Sequence, residues 1–329
     1  MGKRRKVLLG NNTLDSFAGS EIWTYTLATE LLRRGHEVVA FSPLLGKLAP
    51  RLEAVGIRCI SSLAHADEPA VVICNHHDIT IALRQRFPRA PIIATVHGTL
   101  HQGLRNHELL PEHPVTDFKV DQYIAVSEEV HGLLRRAYDI ESVIIRNFFD
   151  LTRFSWSPVL PNAFPRRIVV NDNYSTREDE ANKVIEQVAA HYDAKLQFIG
   201  ANFEETWDVE AVLRPSDVVV GMGRSVLEGF CMGKVALVHG RWGTGGILTQ
   251  GTYDLLKQTN FSGRNSSGRL ASAADIIKLI DSATAQPQLD WQRAVVLEHH
   301  DVRKAAAAFI EHAHRLRKRL WRRNVGAVQ

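Results

Sequence analysis

KVLLGNNTLDSFAGSEIWTYTLATELLRRGHEVVAF, residues 6–41, reads as strand, polar loop, helix and strand in succession. Its ends, Lys6-Val7-Leu8-Leu9-Gly10 and Glu37-Val38-Val39-Ala40-Phe41, are continuous rather than alternating apolar runs, as strands covered on both faces of a parallel sheet must be. Between them an apolar-periodic stretch from Glu21 to Arg34 stops at Gly35, a residue suited to a helix C-terminus. The pattern repeats outward. Ala70-Val71-Val72-Ile73-Cys74, Pro91-Ile92-Ile93-Ala94-Thr95-Val96, Gln122-Tyr123-Ile124-Ala125-Val126 and Val143-Ile144-Ile145 are further buried strands. Helices are predicted over Ile79 to Phe87 and over Glu128 to Tyr138, the latter with Ser127 as N-cap. After Asp150 the periodicity lapses, and Pro158, Pro161 and Pro165 mark a linker. A second series then begins at Arg167-Ile168-Val169-Val170 and continues through Leu196-Gln197-Phe198-Ile199, Asp217-Val218-Val219-Val220 and Val235-Ala236-Leu237-Val238. The expected fold is α/β: two Rossmann-like parallel-sheet domains, 1–155 and 167–300, with a linker over 156–166 and a basic helix over 301–329.

Composition excludes several classes. The 329 residues are 45% hydrophobic and 23% charged, with 22 Gly and 12 Pro, which fits neither a disordered nor a fibrous chain. No apolar run approaches the ~20 residues of a membrane span, and Lys3-Arg4-Arg5-Lys6 leads into a strand rather than a signal-peptide core. Cys59, Cys74 and Cys231, an odd set without C-x-x-C spacing, suit neither a disulfide frame nor a zinc knuckle. A cytoplasmic chain is expected. Net charge is +4, with +4 in Lys3–Lys6 and +7 from Arg303 to Arg323, which leaves −7 for the rest. A nucleic-acid binder is not expected from a mildly acidic body with two basic ends.

Four segments carry candidate chemistry. Asn11 to Glu21 follows the first strand and opens the first helix, where free backbone amides attract an anion and Gly19 allows close approach. Asn12, Asp15 and Glu21 lie there as candidate ligand contacts; the plainer alternative is that Ser20 or Gly19 only caps the helix. His97 and His101, in Val96-His97-Gly98-Thr99-Leu100-His101, follow a buried strand, where an imidazole can bond a hydroxyl or move a proton. No H-E-x-x-H or cysteine partner accompanies them, so no metal is expected. Gly221-Met222-Gly223-Arg224-Ser225-Val226-Leu227-Glu228 also joins strand to helix, offering amides around Gly223 and Ser225 and a two-donor fork from Arg224. Ser225 to Glu228 is equally an S-x-x-E capping box. Gly240-Arg241-Trp242-Gly243-Thr244-Gly245-Gly246 reads as a flexible loop that folds over a ligand, with Thr244, Gly245 and Gly246 as candidate ligand contacts, or as an ordinary turn.

Together these segments resemble family-four GT-B glycosyltransferases. Gly19-Ser20-Glu21 with the helix ending in Arg34-Gly35-His36, His97-Gly98-Thr99, Ile144 to Phe154 with its Asp150 and Phe154, and Leu227-Glu228-Gly229-Phe230-Cys231-Met232-Gly233-Lys234 are similar in order and spacing from Val7 to about Tyr253. The resemblance implies two domains facing a central cleft, and retaining, metal-independent transfer of a sugar from a nucleotide diphosphate sugar to a sugar, lipid-linked or small-molecule hydroxyl acceptor. It places Glu228 on the nucleotide ribose and His97 at the reaction centre, and it requires no cofactor beyond the donor. The first Glu of the family's E-x7-E falls on Val220, and the basic pair of the second domain has no match in Asn171 to Thr176; Arg224 is the expected replacement on the diphosphate. A sugar-nucleotide epimerase or a non-catalytic binding protein on the same fold are the rival readings. Ala306, Phe309, Ala313, Leu316 and Leu320 form an apolar stripe in the last helix, expected to dock on the first domain, with weak peripheral contact between its Lys/Arg cluster and an anionic membrane as the lesser expectation.

Overall fold

A computed structural model of the chain describes residues 4–98, 120–160 and 164–326, the side chains of His65 and of 320–326 excepted. Two compact units result, one built from the chain up to Phe148 together with the segment from Val302 onward, the other from Phe149–Asp301.

The first unit runs β1 (Lys6–Gly10), β2 (Thr13–Leu14), α1 (Gly19–Arg33), β3 (Glu37–Phe41), β4 (Leu44–Leu45), α2 (Ala49–Ala54), β5 (Arg58–Ile60), β6 (Val71–Cys74), α3 (His77–Arg86), β7 (Ile92–Val96), β8 (Gln122–Ala125), α4 (Glu128–Tyr138) and β9 (Ser142–Ile144). Seven of these strands form one parallel sheet in the order β5-β3-β1-β6-β7-β8-β9; β2 and β4 pair separately. The apolar runs earn this arrangement, since β6 and β7 are buried at every position. Helix boundaries follow local signals: Ser127 Oγ accepts from the Val130 amide at the start of α4, and Gly35 beyond α1 takes φ +83°. From β1 the chain builds outward to β3 and β5, then starts again on the other side with β6. Strand order therefore reverses between β1 and β6, the point where open α/β sheets bind ligands.

The second unit runs β10 (Arg167–Asn171), α5 (Glu180–His191), β11 (Lys195–Ile199), α6 (Val209–Leu213), β12 (Val218–Gly221), α7 (Arg224–Cys231), β13 (Val235–Gly240), β14 (Gly243–Ile247), α8 (Tyr253–Leu256), α9 (Ala273–Ala285) and α10 (Leu289–His299). Its sheet has the order β11-β10-β12-β13-β14, with reversal between β10 and β12. The expected glycine-rich loop is instead partly the edge strand β14, antiparallel to β13. Its glycines answer packing: a Cβ on Gly245 would stand 2.7 Å from Leu256 Cδ2, and Gly243 takes φ +112°.

The chain passes between units at Phe148–Phe149, ahead of the expected 156–166 linker. Phe149 and Phe154 are buried in the second unit's core, and the Ser157 and Val159 amides donate to Met232 O (2.9 Å) and Gly233 O (3.1 Å). The described part of the punctuated stretch is thus tied to the second unit. The last helix, α11 (Val302–Gly326), belongs to the first unit and packs on α1. Ala306, Phe309, Ala313 and Leu316 are buried, and the Phe309 ring meets Trp23 edge-on at 5.7 Å. Leu320 of the stripe lies outside the described side chains. Removing a buried ring of this kind costs ~3–5 kcal/mol. Phe309→Ala is expected to lower stability by about that amount in equilibrium urea unfolding, and an unchanged midpoint would mean that the helix is not docked.

Candidate active site

In the second unit, polar groups gather where strand order reverses. β10 ends at the buried Asn171 and β12 at Gly221. A Cβ on Gly221 would lie 2.5 Å from Asn171 O, so only glycine lets the chain turn this closely against β10. Gly223 follows as the N-cap of α7 with φ +58°, a conformation that side chains rarely adopt. The helix then buries Val226, Leu227 and Phe230 and brings Glu228 back toward Asn171. Glu228 Oε2 accepts from Asn171 Nδ2 at 2.9 Å, and Oε1 is 3.3 Å from Arg224 Nε.

Two expectations change here. Gly223 holds the N-cap position and the Ser225 amide donates to Met222 O, so the S-x-x-E capping box does not form and Glu228 is held by tertiary partners. The Arg224 fork turns inward: its guanidinium is buried, 4.5 Å over the Phe149 ring. Burial lowers the Arg224 pKa and raises that of Glu228, while their mutual attraction opposes both shifts. Nearby, Arg153 lies 4.1 Å over the Trp207 ring and pairs with Glu210 at 2.9 Å.

The β10–α5 loop supplies residues that the sequence reading passed over. Asp172 is buried and accepts from the Tyr174 amide at 2.8 Å; burial raises its carboxyl. Asn182 Nδ2 donates to Ser175 Oγ (3.0 Å) and Thr176 O (2.7 Å), which fixes the loop, and Tyr174 stands 70% exposed on it. The available signal was a polar run directly after an apolar strand, the rule already applied at Asn11 and Asn12. Thr244, by contrast, is committed to structure. His239 Nε2 donates to Ala181 O (2.8 Å), which leaves Nδ1 to accept from the Thr244 hydroxyl (2.7 Å), and that hydroxyl accepts from the Ala271 amide (2.9 Å). Burial lowers the His239 pKa, in keeping with a neutral ring.

In the first unit the corresponding place is built from amides. Asn75 Nδ2, at the end of β6, donates to Thr24 Oγ1 (2.9 Å), and Asn11 Nδ2, at the end of β1, reaches the same hydroxyl (3.4 Å). His97, just past β7, donates from Nε2 to Asn75 Oδ1 (3.1 Å) and packs edge-on against Trp23 (5.3 Å). This bond selects which ring nitrogen faces the protein. The Asn12 amide donates to Asn11 Oδ1 (3.0 Å) and His76 Nδ1 (3.3 Å), while Asn12 Oδ1 is buried with no hydrogen-bond partner among the described residues. The other candidates separate from this cluster. Glu21 is buried and accepts from Ser16 Oγ (3.0 Å) and Ser20 Oγ (2.9 Å). Asp15 is exposed and accepts from the Lys47 amide (3.4 Å), and Gly19 begins α1 facing open space. His101 lies outside the described residues. Among the described residues, no three His, Cys, Asp or Glu side chains are grouped to hold a metal ion, and no helix is long and apolar enough to cross a membrane.

Two parallel-sheet units, each with polar groups at a strand-order reversal, define a GT-B fold. Residues 17–153 match the family model of Glycosyltransferase Family 4. Among solved structures, a glycosyltransferase from Rickettsia africae superposes with a TM-score of 0.65 at 14% identity, over 96% of this chain and all of the other. HepE of Anabaena, crystallised with UDP-glucose, gives a TM-score of 0.63 at 13% identity, over 94% of this chain and all of the other. At such identity these likenesses show a shared fold. No curated protein matches the sequence. The family match falls in the first unit, and the structural likenesses extend the shared GT-B fold over nearly all of the chain.

The tight turn at Gly221 gives a direct test of how this site is held. Gly221→Ala must push α7 away from β10, and a loss of ~2 kcal/mol or more is expected in urea unfolding. Wild-type stability in that variant would show that the turn has slack.

Proposed function

We propose that the protein transfers a sugar from a nucleotide diphosphate sugar to a hydroxyl acceptor, with retention and without a metal. The observation that carries this reading is the concentration of polar side chains at the strand-order reversal of both sheets, in a chain whose residues 17–153 match a glycosyltransferase family. The second unit takes the donor: Glu228 accepts from the ribose hydroxyls, and the diphosphate lies at the start of α7, where the helix dipole favours the charge that grows as the bond to the sugar breaks. UDP-glucose is the donor to try first, because HepE was crystallised with it. The first unit takes the acceptor and the transferred sugar: Asn12 Oδ1 accepts from a substrate hydroxyl, and His97, oriented by Asn75, bonds the sugar at the reaction centre. Retention and the hydroxyl acceptor rest on the family resemblance. Arg315, Arg317, Lys318 and Arg319 are exposed on α11, and we assign to them a weak contact with anionic membranes that suits a lipid-linked acceptor.

Binding of UDP to the native state alone raises stability by mass action, by ~2.7 kcal/mol at a hundredfold excess over Kd. A thermal-shift series with UDP, other nucleoside diphosphates and their sugars tests the donor assignment; no shift with any of them removes it. Glu228→Gln keeps the shape of the side chain and weakens a charge-assisted bond, so nucleotide affinity is expected to fall about tenfold or more with a smaller change in stability. Equal losses in both would make Glu228 purely structural.

His97→Ala is expected to cut the transfer rate by about 100-fold or more while nucleotide binding stays nearly intact, and chelator should leave the wild type unchanged. Inhibition by EDTA that is reversed by a divalent metal would overturn the metal-free scheme. Co-sedimentation with anionic vesicles that disappears at high salt is expected for the membrane contact, and none at low salt removes it.

A further inference from the structure

We propose that Arg224 is a positioning residue for Glu228: stacked on Phe149 and paired to Oε1, it holds the carboxylate aimed and charged, and it is not itself a ligand for the donor diphosphate. This rests on the reading of Glu228 as the ribose acceptor.

Stability alone does not account for the arrangement. Arg224 is the first residue of α7, and a cation in the first turn opposes the helix dipole. Burying an Arg–Glu pair gives no net stabilisation over apolar residues of similar volume, because both charges lose their water. The guanidinium is nevertheless fixed at two points, 3.3 Å from Glu228 Oε1 and 4.5 Å above the Phe149 ring. Asn171 Nδ2 holds the other carboxylate oxygen at 2.9 Å. Glu228, only 7% exposed, is therefore gripped from its own helix and from β10, in a direction set by the turn at Gly221. Without a counter-charge, a carboxyl buried this deeply takes up a proton, and a neutral acid is a poorer acceptor for two hydroxyls.

Other charges bearing on Glu228 do not replace Arg224. Arg153 favours the carboxylate, but it is paired with Glu210, which acts the opposite way; the Cys231 thiol on α7 is pushed well up and stays neutral. Arg224 is the largest influence opposing the desolvation of Glu228.

The test compares Arg224→Met, Arg224→Lys and the wild type by calorimetric titration with UDP over about pH 6 to 8. Wild-type affinity should stay nearly level. For Arg224→Met it should fall as pH drops, approaching about tenfold per pH unit below the raised Glu228 pKa. Arg224→Lys, which keeps the charge, should restore a level profile. A second readout needs no ligand. A carboxyl whose folded pKa is raised contributes stability at low pH that is lost as pH rises through that pKa. Arg224→Met should therefore lose stability with rising pH in urea unfolding, and adding Glu228→Gln should abolish the slope. Arg224→Gln serves if the Met variant does not fold. Should the wild type bind no UDP, the ribose reading fails while the unfolding slope still reports on the pair. A loss of affinity that is equal at every pH, with a slope indifferent to Glu228→Gln, overturns the proposal.

Discussion

The missing Cβ of Gly221 is the constraint on which the second unit's site depends. Any side chain there would collide with Asn171 O, so glycine alone permits α7 to start against the end of β10. From that starting point one turn of helix carries Glu228 to Asn171, and the buried face of Val226, Leu227 and Phe230 fixes the rotation of the helix. The first unit uses the same device. Gly10 ends β1, and a Cβ on it would stand 2.5 Å from Leu83 Cδ1, so α3 lies close to the strand end. In both sheets a glycine ends a strand at the order reversal.

The chemistry placed on these two frames differs. In the first unit Asn11 and Asn75 converge on the Thr24 hydroxyl, which donates in turn to Ser20 O at 2.8 Å. Every member of this network is neutral, so its burial requires hydrogen bonds but no counter-charge. It serves as a rigid mount for His97. In the second unit the mount is an ion pair, and its integrity depends on protonation as well as geometry. A buried charge requires a partner, whereas the neutral amides need none.

Much of this was legible in the sequence because local rules and tertiary demands agreed. Continuous apolar runs located the parallel strands, Ser127 capped α4 as read, and His97 directly follows β7. Legibility failed where a distant residue outbid a local motif. Ser225 to Glu228 has the spacing of a capping box, yet Gly223 takes the cap and Asn171, 57 positions earlier, takes the carboxylate. Arg224 reads as an exposed fork because Phe149, the ring it covers, is 75 residues away. β14 is hidden for another reason: three glycines mask its strand character, which comes from pairing with β13 rather than from propensity.

Net charge is the least informative of the sequence signals, and distance explains why. Both basic ends lie in the first unit, where Arg5 Nη2 meets His314 Nδ1 at 2.9 Å. Arg5 precedes β1, whereas Asn11 follows it, and six residue-to-residue steps at ~3.3 Å each separate the two by roughly 20 Å. Screening at physiological salt has a length of ~8 Å, so Arg5 exerts little force on a charge at the strand's carboxyl end. At the end of β1 the nearest polar groups are instead the neutral side chains of Asn11, Asn12 and Asn75. Which polar side chains stand there is set by strand order and local turns, and composition does not reveal it.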